Sequence, residues 1–247
     1  MRIGILGPLE VRDDDDAPVY VAGARLRTLL IILALEPGRL VTVGRLVDGI
    51  WGDDPPAGAA NALQALVSRL RRALPGLTVE SHPAGYRLAL EPDAVDAARF
   101  ERQVAAARSA SGDAAVEDGL RAALALWRGP ALLDVAESEF FEAPRARLDE
   151  LRLTATEDRA DAALRLGRGA GLTTELTTLV AEYPLRERLA GQLMRALVAA
   201  GRPAEALAAY ERTREALADQ LGTDPSPELS ALHTAILRGD LTPAAPG

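Results

Sequence analysis

Cysteine is missing from this 247-residue chain, so it holds no disulfide, thiol nucleophile or Cys-ligated metal. Lysine is missing too: all 28 basic residues are arginine. A P-loop needs its lysine and so does a Schiff-base enzyme, which excludes both. Only two histidines occur, His82 and His233, and they do not have the spacing of a metal pair. The patterns G-x-S-x-G, G-x-G-x-x-G and H-E-x-x-H are absent. No enzyme chemistry, cofactor or metal is expected. The four aspartates Asp13–Asp16 read as a solvated turn rather than a cation site. Long apolar runs are absent as well. The longest, Leu29–Leu35, is far too short to span a bilayer. The opening "MRIGILGPLEV" has no cleavage-site pattern. The expectation is a soluble, cytoplasmic protein without a membrane partner.

What is present is 48% hydrophobic residues, enough for one large core or two small ones, and a net charge of −8. The charge is unevenly placed. Residues 1–90 carry 10 Arg and 10 Asp+Glu, net 0, whereas residues 91–247 carry 18 Arg and 26 Asp+Glu, net −8. Inside the first part, residues 61–90 hold Arg69, Arg71, Arg72 and Arg87 against Glu80, net +3. The long-range field does not draw the chain to a polyanion, but a local patch of this kind suits one.

The first 21 residues read as short strands through Ile3, Ile5, Leu9, Val11, Val19 and Val21, punctuated by Gly7-Pro8 and the aspartates. A helix follows in "ARLRTLLIILALEPG", with Leu26, Leu29, Leu30 and Leu33 at helical spacing and Pro37-Gly38 as the stop. Thr42 is placed to cap a second helix, "VGRLVDGIW", and "GDDPP" breaks it. Pro56 is placed near the start of a third, which Pro75-Gly76 ends. Then "LTVESHPAGYRLAL" reads as two strands around a turn at 82–85, with Tyr86, Leu88 and Leu90 on one face and Arg87 and Ala89 on the other. Strands, three helices and a hairpin are the plan of a winged helix-turn-helix. In that plan the third helix enters the DNA major groove.

Beyond Pro92 the pattern is helical throughout. Candidate helices cover Ala97–Ser109, Ala114–Arg128, Phe140–Leu166, Thr173–Ala181, Arg186–Ala200, Ala204–Leu221 and Pro227–Leu237. The stretch "LAGQLMRALVAAGRPAEALAAYERTREAL" is a helix–turn–helix unit of tetratricopeptide type, with Gly201 at the turn and Ala206 and Tyr210 in the A-x3-[FY] element. The division expected is a winged-helix DNA-binding domain over 1–91, an all-α tetratricopeptide-like domain over 92–240, and a disordered tail or linker over 241–247.

The third helix carries the functional reading. At 100° per residue, Leu63, Leu66, Val67, Leu70 and Leu74 cluster within about 60° of one direction. Asn61, Gln64, Ala65, Ser68 and Arg72 lie opposite, flanked by Arg69 and Arg71. Amide side chains match adenine edges, and guanidiniums match guanine edges or phosphates. Ala65 and Ser68 permit close approach. Arg87, off the apolar face of the hairpin, suits a narrow minor groove. A solvated amphipathic helix made soluble by its arginines is the plainer alternative for the helix alone.

"TVGRLVDGIWGDDPP", "NALQALVSRLRRAL" and "GYRL" resemble the winged-helix domain of OmpR/PhoB-type regulators, in the form found in the SARP family of antibiotic-pathway transcriptional activators. "ALALWRGPALLDV", "RARLDELRLTATEDRADAALRLG", "EYPLRERLAGQLMRALVAAGRPAEALAAYERTREAL" and "LGTDPSPELSALHTAIL" are similar to that family's second module, the bacterial transcriptional activation domain. The resemblance implies an activator that binds directly repeated sites in double-stranded promoter DNA, self-associates there, and recruits RNA polymerase including its sigma factor. It also implies control of secondary-metabolite genes and a nucleoid-associated place in the cytoplasm. Carried over by position, recognition-helix contacts fall on Asn61, Gln64, Ser68, Arg69, Arg71 and Arg72, and the wing contact on Arg87. Trp51 maps to a residue touching the DNA backbone, with partly buried packing as its alternative. The "GDDPP" loop maps to a region facing the polymerase. The helical second part does not suit a receiver domain, and a receiver's lysine is absent, so control by aspartyl phosphorylation is not expected.

The competing reading is a helical-repeat adaptor whose N-terminal domain is only structural. The acidic second part fits a protein partner, as repeat surfaces often do. Salt-dependent DNA binding by an isolated 1–90 fragment separates the two readings.

Overall fold

The computed structural model describes residues 1–241. The expected tail, 241–247, lies outside the described residues apart from Leu241. Contacts between Cα atoms divide the chain into two compact units: Met1–Ala106 with Ala122–Leu153, and Ala107–Arg121 with Thr154 onward. The expected division at 91/92 is a sequence division, and it falls inside the first unit.

In the first unit, strands β1 (Arg2–Gly4) and β2 (Glu10–Arg12) pair antiparallel, Ile3 opposite Val11. Of the further strand expected near Val19–Val21, only an isolated bridge between Arg12 and Pro18 forms. Helix α1 (Ala24–Leu35) buries Leu26, Leu29, Leu30 and Leu33, and Ile31, Ile32 and Ala34 besides. From Leu29 to Ala34 the helix is apolar on every side and covered on every side. Helix α2 (Val43–Trp51) starts where expected: the Thr42 hydroxyl accepts from the Arg45 N–H at 3.3 Å. A Cβ on Gly49 would strike Ile32 and the Phe140 ring, so α2 lies close against both.

Helix α3 (Ala59–Ala73) begins after Gly58, which is left-handed (φ 81°), so Pro56 stands in the preceding loop rather than in the first turn. The hairpin is β4 (Val79–His82) and β5 (Gly85–Leu88). A short strand not expected from the sequence, β3 (Leu40–Thr42), pairs with β5 on its other side, giving the order β3-β5-β4. Gly85 is required there, because a Cβ would fall on the Val41 carbonyl.

The N-terminal segment is bound to residues far along the chain. Ile3 bridges Val95, next to helix α4 (Asp96–Arg108). The buried carboxylate of Asp96 accepts from the N–H groups of Ile5 (2.7 Å) and Leu6 (3.1 Å). Arg128 donates its backbone N–H to the Leu6 carbonyl, and Leu132 donates to that of Ile5. These bonds explain why α5 (Asp113–Leu124) stops short of the expected Arg128: residues 125–135 run across the N-terminal strand instead. Helix α6 (Glu139–Arg165) continues across the boundary of the two units.

The second unit is helical in its described residues: most of α5, the last part of α6, then α7 (Thr173–Glu182), α8 (Glu187–Ala199), α9 (Pro203–Leu221) and α10 (Pro227–Arg238). Gly201 takes φ 73° at the α8–α9 turn, and Ala206 and Tyr210 are buried as the repeat pattern requires. Tyr210 stacks on His233 of α10 at 4.0 Å, rings 9° apart. Two buried carboxylates are paired with arginines here. Glu157 accepts from Arg186 (2.9 Å) and Arg188 (3.4 Å), and Glu117 from Arg121 and Arg168. Burial pushes the Glu117 carboxyl upward, but the hydrogen bonds and charges of the two arginines outweigh it and hold it below its ordinary value. No helix among the described residues is long and apolar enough to cross a membrane.

Candidate nucleic-acid interface

Helix α3 divides as its sequence demands. Leu63, Leu66, Val67 and Leu70 are buried, with Leu74 just past the end, and they pack toward α1 and α2. Asn61, Gln64, Ala65, Ser68, Arg69, Arg71 and Arg72 are all exposed. The helix therefore presents one continuous polar face.

The four arginines of the region are not equivalent. Arg71 turns to the hairpin: Nε and Nη2 both donate to the Val79 carbonyl, at 2.9 and 2.5 Å, and Nη2 also donates to the Ser81 hydroxyl at 2.9 Å. It fixes the end of α3 to β4, and its guanidinium is largely committed to that task. Arg87 on β5 donates Nε to Glu80 Oε2 at 2.8 Å across the strand pair. Arg72 makes one long bond, Nε to the Ser68 carbonyl at 3.4 Å, and otherwise faces solvent. Among the described residues Arg69 has no ion pair or side-chain hydrogen bond.

Trp51, half-buried at the end of α2, lines a cleft with Arg69, Ala62 and Ala65 of α3 and with Gly23–Leu26 at the start of α1. Arg25 borders the same cleft and, among the described residues, has no ion pair either. Sequence reasoning missed Arg25 because its place depends on how α1 meets α3; an arginine in the first turn of an otherwise apolar helix was the available signal. The "GDDPP" loop, residues 52–56, is exposed throughout.

Comparison with known proteins bears on both parts of the chain. Residues 20–88 match the family "Transcriptional regulatory protein, C terminal", and residues 95–237 match the "Bacterial transcriptional activator domain". Regulatory protein DnrI of Streptomyces peucetius is 38% identical, over 97% of this chain and 93% of its own length. The chain belongs to the SARP family of transcriptional regulators. As a SARP regulator it is not an enzyme, and it combines an OmpR/PhoB-type winged helix with a helical activation domain. Regulatory protein AfsR of Streptomyces coelicolor is 42% identical over 97% of this chain, but the chain spans only about a quarter (24%) of AfsR. Among solved structures, one titled "Mycobacterium tuberculosis EmbR in complex with low affinity phosphopeptide" superposes with TM-score 0.86 at 35% identity. That match covers 96% of this chain and 65% of EmbR's. SARP membership is thus carried by two modules in order, with the α3 face lying in the first.

Proposed function

We propose that the chain activates transcription by binding directly repeated promoter sites through α3 and the hairpin wing. Residues 1–91 form the DNA-binding module and 92–240 the activation module. The observation that carries this reading is the exposed polar face of α3, ordered Asn61, Gln64, Ser68, Arg72 and backed by leucines. Gln64 and Asn61 read adenine edges, Arg72 reads a guanine edge or phosphate, and Ser68 and Ala65 let the helix approach. Arg69, Arg25 and Trp51 hold the flanking phosphate backbone. Arg87 enters the minor groove from the wing, and Arg71 sets the angle between wing and helix.

The acidic residues beyond 91 keep the second module off DNA and suit a protein partner. We assign to this module and to the "GDDPP" loop the recruitment of RNA polymerase including its sigma factor, and to the chain self-association of protomers on the repeats. Control of secondary-metabolite (antibiotic) biosynthesis genes and a nucleoid-associated, cytoplasmic location complete the proposal.

The test is binding of the full chain to labelled duplex from upstream of its neighbouring genes, followed across salt concentration. Protection of two half-sites about one helical turn apart is expected. Inserting half a turn between them should abolish cooperativity. Salt-independent or undetectable binding would leave the adaptor reading, which the acidic second module favours.

A further inference from the structure

Residues 61–90 contain one acidic side chain, Glu80, and it is spent on the wing arginine. Glu80 and Arg87 are register partners on β4 and β5. Both Nε and Nη2 of Arg87 donate to the same carboxylate oxygen, Oε2. The side chains are 43% and 50% exposed, so the pair sits at the surface and opens without disturbing the core. Its neighbours do not share that freedom. Val79 and Ser81, either side of Glu80, are both held by Arg71, which fixes β4 against α3. Glu80 is thus a carboxylate on a fixed strand, bonded to the one wing cation.

We propose that Glu80 is an intramolecular competitor for Arg87 that sets how tightly, and with what salt dependence, the wing engages DNA. The inference rests on the DNA-binding reading above. A guanidinium bound to carboxylate satisfies the same donors that a groove acceptor or phosphate oxygen would take. Engagement of the wing is therefore an exchange: Arg87 leaves Oε2 and takes an acceptor on DNA. An exposed ion pair is weak and screened by salt, whereas DNA carries one phosphate charge per about 1.7 Å of axis, so DNA wins the exchange at a cost. Glu80, left unpaired near the phosphates, adds repulsion to that cost. Neutralising Glu80 removes both terms, but only the first depends on Arg87.

The experiment uses the full chain as wild type, Glu80→Gln, Arg87→Ala and the double variant. The probe is a fluorescein-labelled duplex selected by the wild type from a random-sequence pool. Glu80→Gln is expected to tighten binding about three- to tenfold, and Arg87→Ala to weaken it. Most of the Glu80→Gln gain should disappear when Arg87 is absent, as a coupled pair requires. An equal gain in both backgrounds would reduce Glu80 to a repelling charge and overturn the proposal. So would no gain at all where Arg87→Ala weakens binding. If Arg87→Ala has no effect, the wing contact fails and the competitor with it, while binding through α3 stands. Recovery of no duplex would overturn the DNA reading itself. Melting of each variant checks its folding, and Glu80→Thr, which suits a strand, replaces Glu80→Gln should the latter melt early.

Discussion

The guanidinium of Arg128 meets the carboxylate of Asp96 at 3.0 Å, and the same Asp96 oxygen, Oδ2, also accepts the Leu6 N–H. Arg128 further donates Nη1 to the Pro8 carbonyl at 2.8 Å. Two side chains from the helical part of the sequence thereby satisfy the backbone of the first strand's exit, where Ile5 and Leu6 are fully buried. Replacing Asp96 with alanine leaves two buried N–H groups without their acceptor, while Arg128 keeps Glu10 at 3.2 Å and the Pro8 carbonyl. A loss of about 2–6 kcal/mol is expected, about 1–3 for each buried N–H left unsatisfied, read from the urea midpoint of the full chain. Asp96→Asn keeps one acceptor oxygen and should lose less.

Arg71 and Arg72 are neighbours in sequence with opposite duties. Arg72→Ala should leave the melting curve within about 0.5 kcal/mol of wild type, as a surface substitution does. It should weaken specific DNA binding by about 1–3 kcal/mol. Arg71→Ala removes charged hydrogen bonds to Val79 and Ser81, and should cost about 1.5–3 kcal/mol of stability as well as loosening the wing. Equal melting of the two variants would show that the Arg71 strut contributes nothing.

Leu70 is fully buried on the inner face of α3. Leu70→Ala should destabilise by about 2–5 kcal/mol, the range for a buried leucine truncated in a packed core. Unaltered thermal unfolding would mean that the helix is rotated from the orientation described.

Glu117 supplies a pH test. Its carboxyl titrates below the ordinary 4.5 when folded, so its contribution to stability is fully present above that value and lost as pH falls through the folded one. Wild type should therefore exceed Glu117→Gln in stability at neutral pH, and the gap should shrink on acidification below about pH 4.5. A gap that stays constant through that range would show that the arginines do not hold the carboxylate.

What the sequence disclosed follows from locality. The inner face of α3, the Thr42 cap and the Ala206/Tyr210 pattern each depend on spacing within one helix, and each is found in place. Strand β3 was hidden because three residues carry no periodicity, and only their pairing with β5 defines them. The early end of α5 was hidden for a similar reason: 122 residues separate Arg128 from the Leu6 carbonyl that captures its N–H. At the candidate interface the outward residues of α3 were legible from periodicity. The engagement of Arg71 and Arg87 was not, since it depends on how close the hairpin comes to the helix and to itself.

The stitching of residues 3–8 to 95–96 and 128–132 bears on how relatives could exchange parts. A chimaera joined near residue 91 would pair the first strand with a foreign counterpart of Asp96 and Arg128. A piece ending there would bare Ile5 and Leu6 to solvent. Recombination that preserves a working regulator should then carry both ends of this clasp together, so the heritable block is longer than the winged helix it contains.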